Sequence, residues 1–168
     1  QHSIDKCKNF LTNLVPSLEK KYVQKRLHFG TIFYSDYDGK NDIIRKKIGT
    51  PTEIVDTIRH KINADGGGDI PEALRTALFE AGNLKCWREN ANKLALIITD
   101  ASMHTYSHST HHDELLELEK SYLKDNFDII KICKKLKEKN IKLLPIGITD
   151  TYHNSNDIEI MHIYHSIF

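Results

Sequence analysis

Leu94-Ala95-Leu96-Ile97-Ile98-Thr99-Asp100 is the stretch that decides the fold. It is a continuous apolar run closed by a carboxylate. A strand with one wet face alternates polar and apolar residues. An unbroken run is expected where helices cover both faces of a parallel sheet. Lys142 to Thr149 repeats the pattern and ends at Asp150, with Pro145 weakening it or placing it near an edge. Between the two runs, Glu114 to about Lys139 reads as helical, as two helices separated near Asp125-Asn126. Ile130, Cys133 and Leu136 supply its apolar side, and Asn140 is its C-terminal stop.

Towards the N-terminus the same alternation continues. Ser3 to about Lys25 reads as a helix, with Ile4, Cys7, Leu11, Leu14, Val15 and Leu18 on one stripe and Ser3 as N-cap. Pro16 predicts a kink or an early break in it. Leu27 to Tyr34 reads as a strand, and Ile43 to Ile48 as a weak edge strand. Thr50-Pro51-Thr52-Glu53 carries three helix-start signals: a capping Thr, a first-turn Pro and a Glu that closes a capping box. Ile54, Val55, Ile58 and Ile62 follow as its apolar stripe. Ala73, Leu74, Ala77, Leu78 and Ala81 mark the inner side of the next helix. A last helix is expected from about Asn156, with Ile158, Met161 and Tyr164 on one face. The order implies an α/β fold: a doubly wound, mostly parallel open sheet with helices on both faces.

The bulk properties agree with one domain spanning residues 1–168. The chain has 168 residues, 39% of them hydrophobic and 28% charged. Lys plus Arg number 24 against 23 Asp plus Glu. That balance argues against a dedicated nucleic-acid or membrane-surface role. No apolar run approaches the roughly 20 residues that span a bilayer. Gln1 rather than Met stands first, so the chain reads as a piece of a longer protein. Cys7, Cys86 and Cys133 have no CxxC spacing and cannot all pair. They read as buried small hydrophobes in a reducing, intracellular and cytoplasmic setting.

Open α/β sheets bind ligands outside the carboxyl ends of their strands. Asp36, Asp100 and Asp150 each fall just after a predicted strand, and Gly66-Gly67-Gly68-Asp69 opens a helix. A plain helix start explains part of that turn, with Asp69 as cap, Pro71 in the first turn and Glu72 closing a box. One glycine would turn the chain; three allow close approach of a ligand to the backbone. A phosphate cradle fits poorly, because Asp69 is anionic and the Lys-Ser or Lys-Thr ending of a P-loop is missing. Asp100, ending an apolar strand, is placed either to cap the next turn or to hold a hard cation such as Mg²⁺.

Gly66-Gly67-Gly68-Asp69-Ile70-Pro71-Glu72-Ala73-Leu74, followed by Leu96-Ile97-Ile98-Thr99-Asp100-Ala101, resembles von Willebrand factor type A domains. The GGGDxPE turn is closest to the α-kinase-associated and hemicentin-like members. Leu27-His28-Phe29-Gly30 to Asp36 resembles the family's second strand, and Leu144-Pro145-Ile146-Gly147-Ile148 a later one. The resemblance implies a metal-ion-dependent adhesion site at the strand-end rim, where an acidic side chain of a partner protein completes the coordination. Carried over, Asp69 and Asp100 would be metal ligands; a one-residue shift would put Gly68 at the first position. Gly68, Asp69, Asp100, His104 and Asp36 are then the partner-binding candidates. The family's DxSxS motif occurs nowhere in this chain, so its first strand is expected to be missing. Mg²⁺ is accordingly expected to bind weakly or not at all.

His104, His108, His111 and His112 crowd a polar stretch from Ala101 to His112 that reads as a loop. His108 and His112 are four apart, as helix-borne zinc ligands are, but the glutamate of HExxH is missing. No nucleophile elbow or Ser-His-Asp order stands out. The expectation is a protein-binding module, not an enzyme. Two alternatives are a structural subunit of a large assembly with a vestigial metal site, and a Rossmann-like metal-dependent hydrolase.

Overall fold

The computed structural model describes residues 2–23, 26–37, 44–61, 72–99, 103 and 110–147. The expected alternation is present. In chain order come α1 (His2–Lys21), β1 (Phe29–Tyr34), β2 (Ile44–Gly49), α2 (Pro51–Lys61), α3 (Leu74–Gly82), β3 (Lys93–Thr99), α4 (Thr110–Leu123), α5 (Ile129–Glu138) and β4 (Ile141–Gly147). A single 3-10 turn, Lys124–Asn126, separates α4 from α5 where Asp125-Asn126 predicts a break.

β3 and β4 pair in parallel, Lys93 opposite Ile141 and Thr99 opposite Gly147. Parallel strands need a crossover, and α4 and α5 provide it. β1 and β2 pair antiparallel, from Phe29 opposite Gly49 to Tyr34 opposite Ile44. Among the described residues the two ladders are separate, with no strand hydrogen-bonded to both. They share a core nonetheless. Tyr34 of β1 packs against the cluster formed by Leu74, Leu78, Ile97, Ile132, Leu136 and Ile141. α3 touches β1, α4 and α5, so it bridges the two ladders.

Local chemistry explains most element boundaries. The Thr50–Glu53 capping box forms: the Glu53 amide donates to Thr50 Oγ1 at 3.3 Å, and the Thr50 amide to Glu53 Oε2 at 2.8 Å. These bonds to Thr50, aided by Lys47, hold the Glu53 carboxyl below its ordinary value. Ile54, Val55 and Ile58 are buried as the stripe requires; Ile62 lies outside the described residues. α5 starts at Asp128, whose carboxylate accepts the amides of Ile130 and Lys131. It ends before Asn140, which takes the left-handed φ of 55°.

Other expectations need correction. α1 runs through Pro16 to Lys21 without the early break. Pro16 is exposed, so its ring faces water. α4 begins at Thr110, so the backbone of His111 and His112 is helical and not part of the preceding loop. Its inner residues are Leu115, Leu116, Glu119 and Leu123. In α5 the buried residues are Ile132 and Leu136, whereas Ile130 is 56% exposed and Cys133 only half-buried. Leu94 is 58% exposed, so the apolar run of β3 is not uniformly covered. Cys7, Cys86 and Cys133 are each partly buried, not fully so. Burial pushes the Cys133 thiol up to about 11 and raises that of Cys86. The expected helix after Asn156 lies outside the described residues. No helix among the described residues is long and apolar enough to cross a membrane.

Candidate functional site at the strand ends

Gly68, Asp69, Asp100 and His104 lie outside the described residues, as do His108 and Asp150. Asp36 and the flanks of the other segments are described. A parallel bridge joins Glu72 to Met103. Glu72 lies three residues after Asp69, and Met103 three after Asp100. The segment leaving the glycine turn therefore meets the segment leaving β3. The Glu72 carbonyl accepts the Leu74 amide at 2.7 Å, which leads the chain directly into α3.

That geometry corrects the simple helix-start reading. α3 begins at Leu74 behind Ala73, an N-cap residue that makes no side-chain cap bond. Glu72 is held in the bridge, ahead of the helix and not in its first turn. An isolated helix would end its first turn with free amides. Here Glu119 of α4 reaches in. Its Oε1 accepts the Thr76 amide at 3.1 Å and the Thr76 hydroxyl at 3.2 Å. Its Oε2 accepts Arg75 Nη1 at 2.7 Å, with the two side chains 8% and 0% exposed. The Arg75 guanidinium lies over the Phe127 ring, 4.5 Å from its centroid.

The segment after β1 joins the same network. Asp36 is 1% exposed, and its Oδ1 accepts the Tyr37 amide at 2.6 Å. The Tyr37 hydroxyl lies 2.7 Å from Thr76 Oγ1. Burial, reinforced by the Glu119 carboxylate, pushes the Tyr37 phenol up to about 12. Ser35 Oγ is buried with no hydrogen-bond partner among the described residues. Sequence reasoning missed Glu119, Arg75, Thr76 and Tyr37. Arg75 and Glu119 look like solvated helix charges at 44 residues' separation, and only tertiary packing pairs them.

Among the described residues, no three His, Cys, Asp or Glu side chains come together as metal ligands do. Asp36 commits one oxygen to a backbone amide and lies behind the surface, so it does not by itself offer a cation a site. A small cleft lies at the other end of α3, between Leu78, Gly82, Asn83, Leu136 and Lys139. Since α3 begins at the rim, that cleft is about 13 Å away along a nine-residue helix.

No curated protein matches the chain. The family model for the von Willebrand factor type A domain matches residues 1–163. That span takes in every described strand and helix, and the chain belongs to the von Willebrand factor type A domain family.

Proposed function

We propose that this chain is a protein-binding module of the GGGDxPE subset whose contact surface is the strand-end rim. Domains of this family generally mediate protein–protein interaction. The observation that carries the reading is the bridge between Glu72 and Met103, because it brings together the flanks of the glycine turn and of the β3 end. Gly68, Asp69, Asp100 and His104 are the contact candidates on those two segments. Asp36, 1% exposed, acts from behind by shaping its loop.

Asp69 and Asp100 are the carboxylates that would hold a divalent cation, with a partner's acidic side chain as a further ligand. Mg²⁺ prefers oxygen ligands and retains several waters. Because no DxSxS motif occurs in the chain, few neutral oxygens are at hand, and Mg²⁺ binds weakly. Calorimetric titration of the chain with Mg²⁺ should show no micromolar binding; a micromolar or tighter site would contradict this. A second reading is a structural subunit that uses another surface.

Purifying the native protein and identifying what accompanies it supplies the partner. Asp100→Ala should then abolish metal-dependent binding to that partner while circular dichroism stays unchanged. Binding that is indifferent to Asp100→Ala and to chelator would select the structural-subunit reading.

A further inference from the structure

The N-cap residue of α3, Ala73, offers no side-chain acceptor, and the Thr76 amide in the first turn finds one on α4, 43 residues on. Glu119 is 0% exposed, and Thr76 is 1% exposed. The Thr76 hydroxyl, 3.2 Å from Glu119 Oε1, donates to that carboxylate. A hydroxyl has one proton to give, so its oxygen is left to accept the Tyr37 O–H at 2.7 Å. The bonds run in one direction, from Tyr37 to Thr76 to Glu119. Arg75 occupies the second carboxylate oxygen at 2.7 Å, which fixes the carboxylate plane.

The two ends of this relay belong to different strand-end segments. Tyr37 follows β1 directly after Asp36. Thr76 lies four residues after Glu72, which the bridge ties to Met103 beyond β3. Glu119 itself sits on α4, the helix into which that same post-β3 segment runs. We propose that Glu119 is the positioning residue of the strand-end rim, locking the post-β1 loop and the start of α3 into one arrangement through Thr76. That the locked surface serves partner binding rests on the reading above; the locking does not.

Amide hydrogen exchange on the whole chain tests this without any partner. Leu116 and Leu136, buried in α4 and α5, report global opening. Glu119→Gln has a single acceptor oxygen, so it must turn its NH₂ towards either Arg75 or the Thr76 amide and hydroxyl, all of which need an acceptor, and Thr76→Val removes the hydroxyl while keeping the shape. Both should speed exchange at Asp36 and Tyr37 roughly tenfold beyond the change at Leu116 and Leu136. Thr76→Ser keeps the hydroxyl and should restore protection at Tyr37. If Glu119→Gln does not fold, the Thr76→Val and Thr76→Ser pair decides the matter. The proposal is overturned if all amides speed up by one factor, if Asp36 and Tyr37 keep their protection, or if Ser behaves as Val does. Failure here leaves the Asp100→Ala binding experiment untouched, and failure of that experiment leaves this one untouched.

Discussion

Tyr37 shows how a single residue couples chemistry to packing. Its phenol rises from 10.0 to about 12, first through burial and then through the Glu119 carboxylate. Tyr122 also rises to about 12, chiefly because its hydroxyl bonds Glu80. The folded state thus holds both phenolic protons more tightly than the unfolded chain does. The stability this contributes is complete below pH 10 and is lost as pH climbs towards 12. The urea midpoint should fall over that window, and the Tyr37→Phe/Tyr122→Phe double variant should flatten the fall. The cysteines behave in the same sense. With the Cys133 thiol pushed to about 11 and Cys86 raised by burial, little thiolate exists at neutral pH. Iodoacetamide should label both far more slowly in the folded protein than in urea, and equal rates would contradict the burial assigned to them.

At the scale of elements, caps were legible and helix faces less so. Thr50 and Glu53 form their box because every partner lies within three residues. Thr50→Ala should cost about 1 kcal/mol of stability, measured by denaturant unfolding. Pro16 misled in the opposite direction. Its missing amide breaks one hydrogen bond, but the helix around it buries Thr12 and Val15 and is held by packing on α2. Pro16→Ala should stabilise the protein by up to about 3 kcal/mol, seen as a higher unfolding midpoint. In α5 the periodicity was right, yet the buried side is Ile132 and Leu136 instead of Ile130 and Cys133. The apolar residues of that helix lie in one arc, and its neighbours cover only the part held by Ile132 and Leu136.

For the whole molecule, the core cluster lies between α3, α5, β3 and β4. Leu136 is 1% exposed within the cluster that joins both ladders. Leu136→Ala should cost about 2–5 kcal/mol. Glu119→Ala should cost about 3–5 kcal/mol, because it strands the buried Arg75 guanidinium and the Thr76 amide. A combined replacement of Arg75 and Glu119 by apolar residues should cost less than that single change, since no charge is then left alone. Thermal or urea unfolding of the three variants decides the order.

Alternation of strand and helix, the capping box of α2, the stop at Asn140 and the β3–α4–α5–β4 unit follow from the sequence by itself. Each depends on groups a few residues apart, or on apolar runs whose meaning is set by their own length and flanks. The placement of turns after strands leads to an expected convergence of Asp69 and Asp100, which lie outside the described residues; the bridge joins their flanks, Glu72 and Met103. Tertiary structure alone decided that α3 is capped by Glu119, that Tyr37 is tied to Thr76, and which side of α5 is inside. Those contacts join residues about forty positions apart. No local preference encodes them; only the shared exclusion of water from the core, and the need to satisfy every charge taken into it, brings them together.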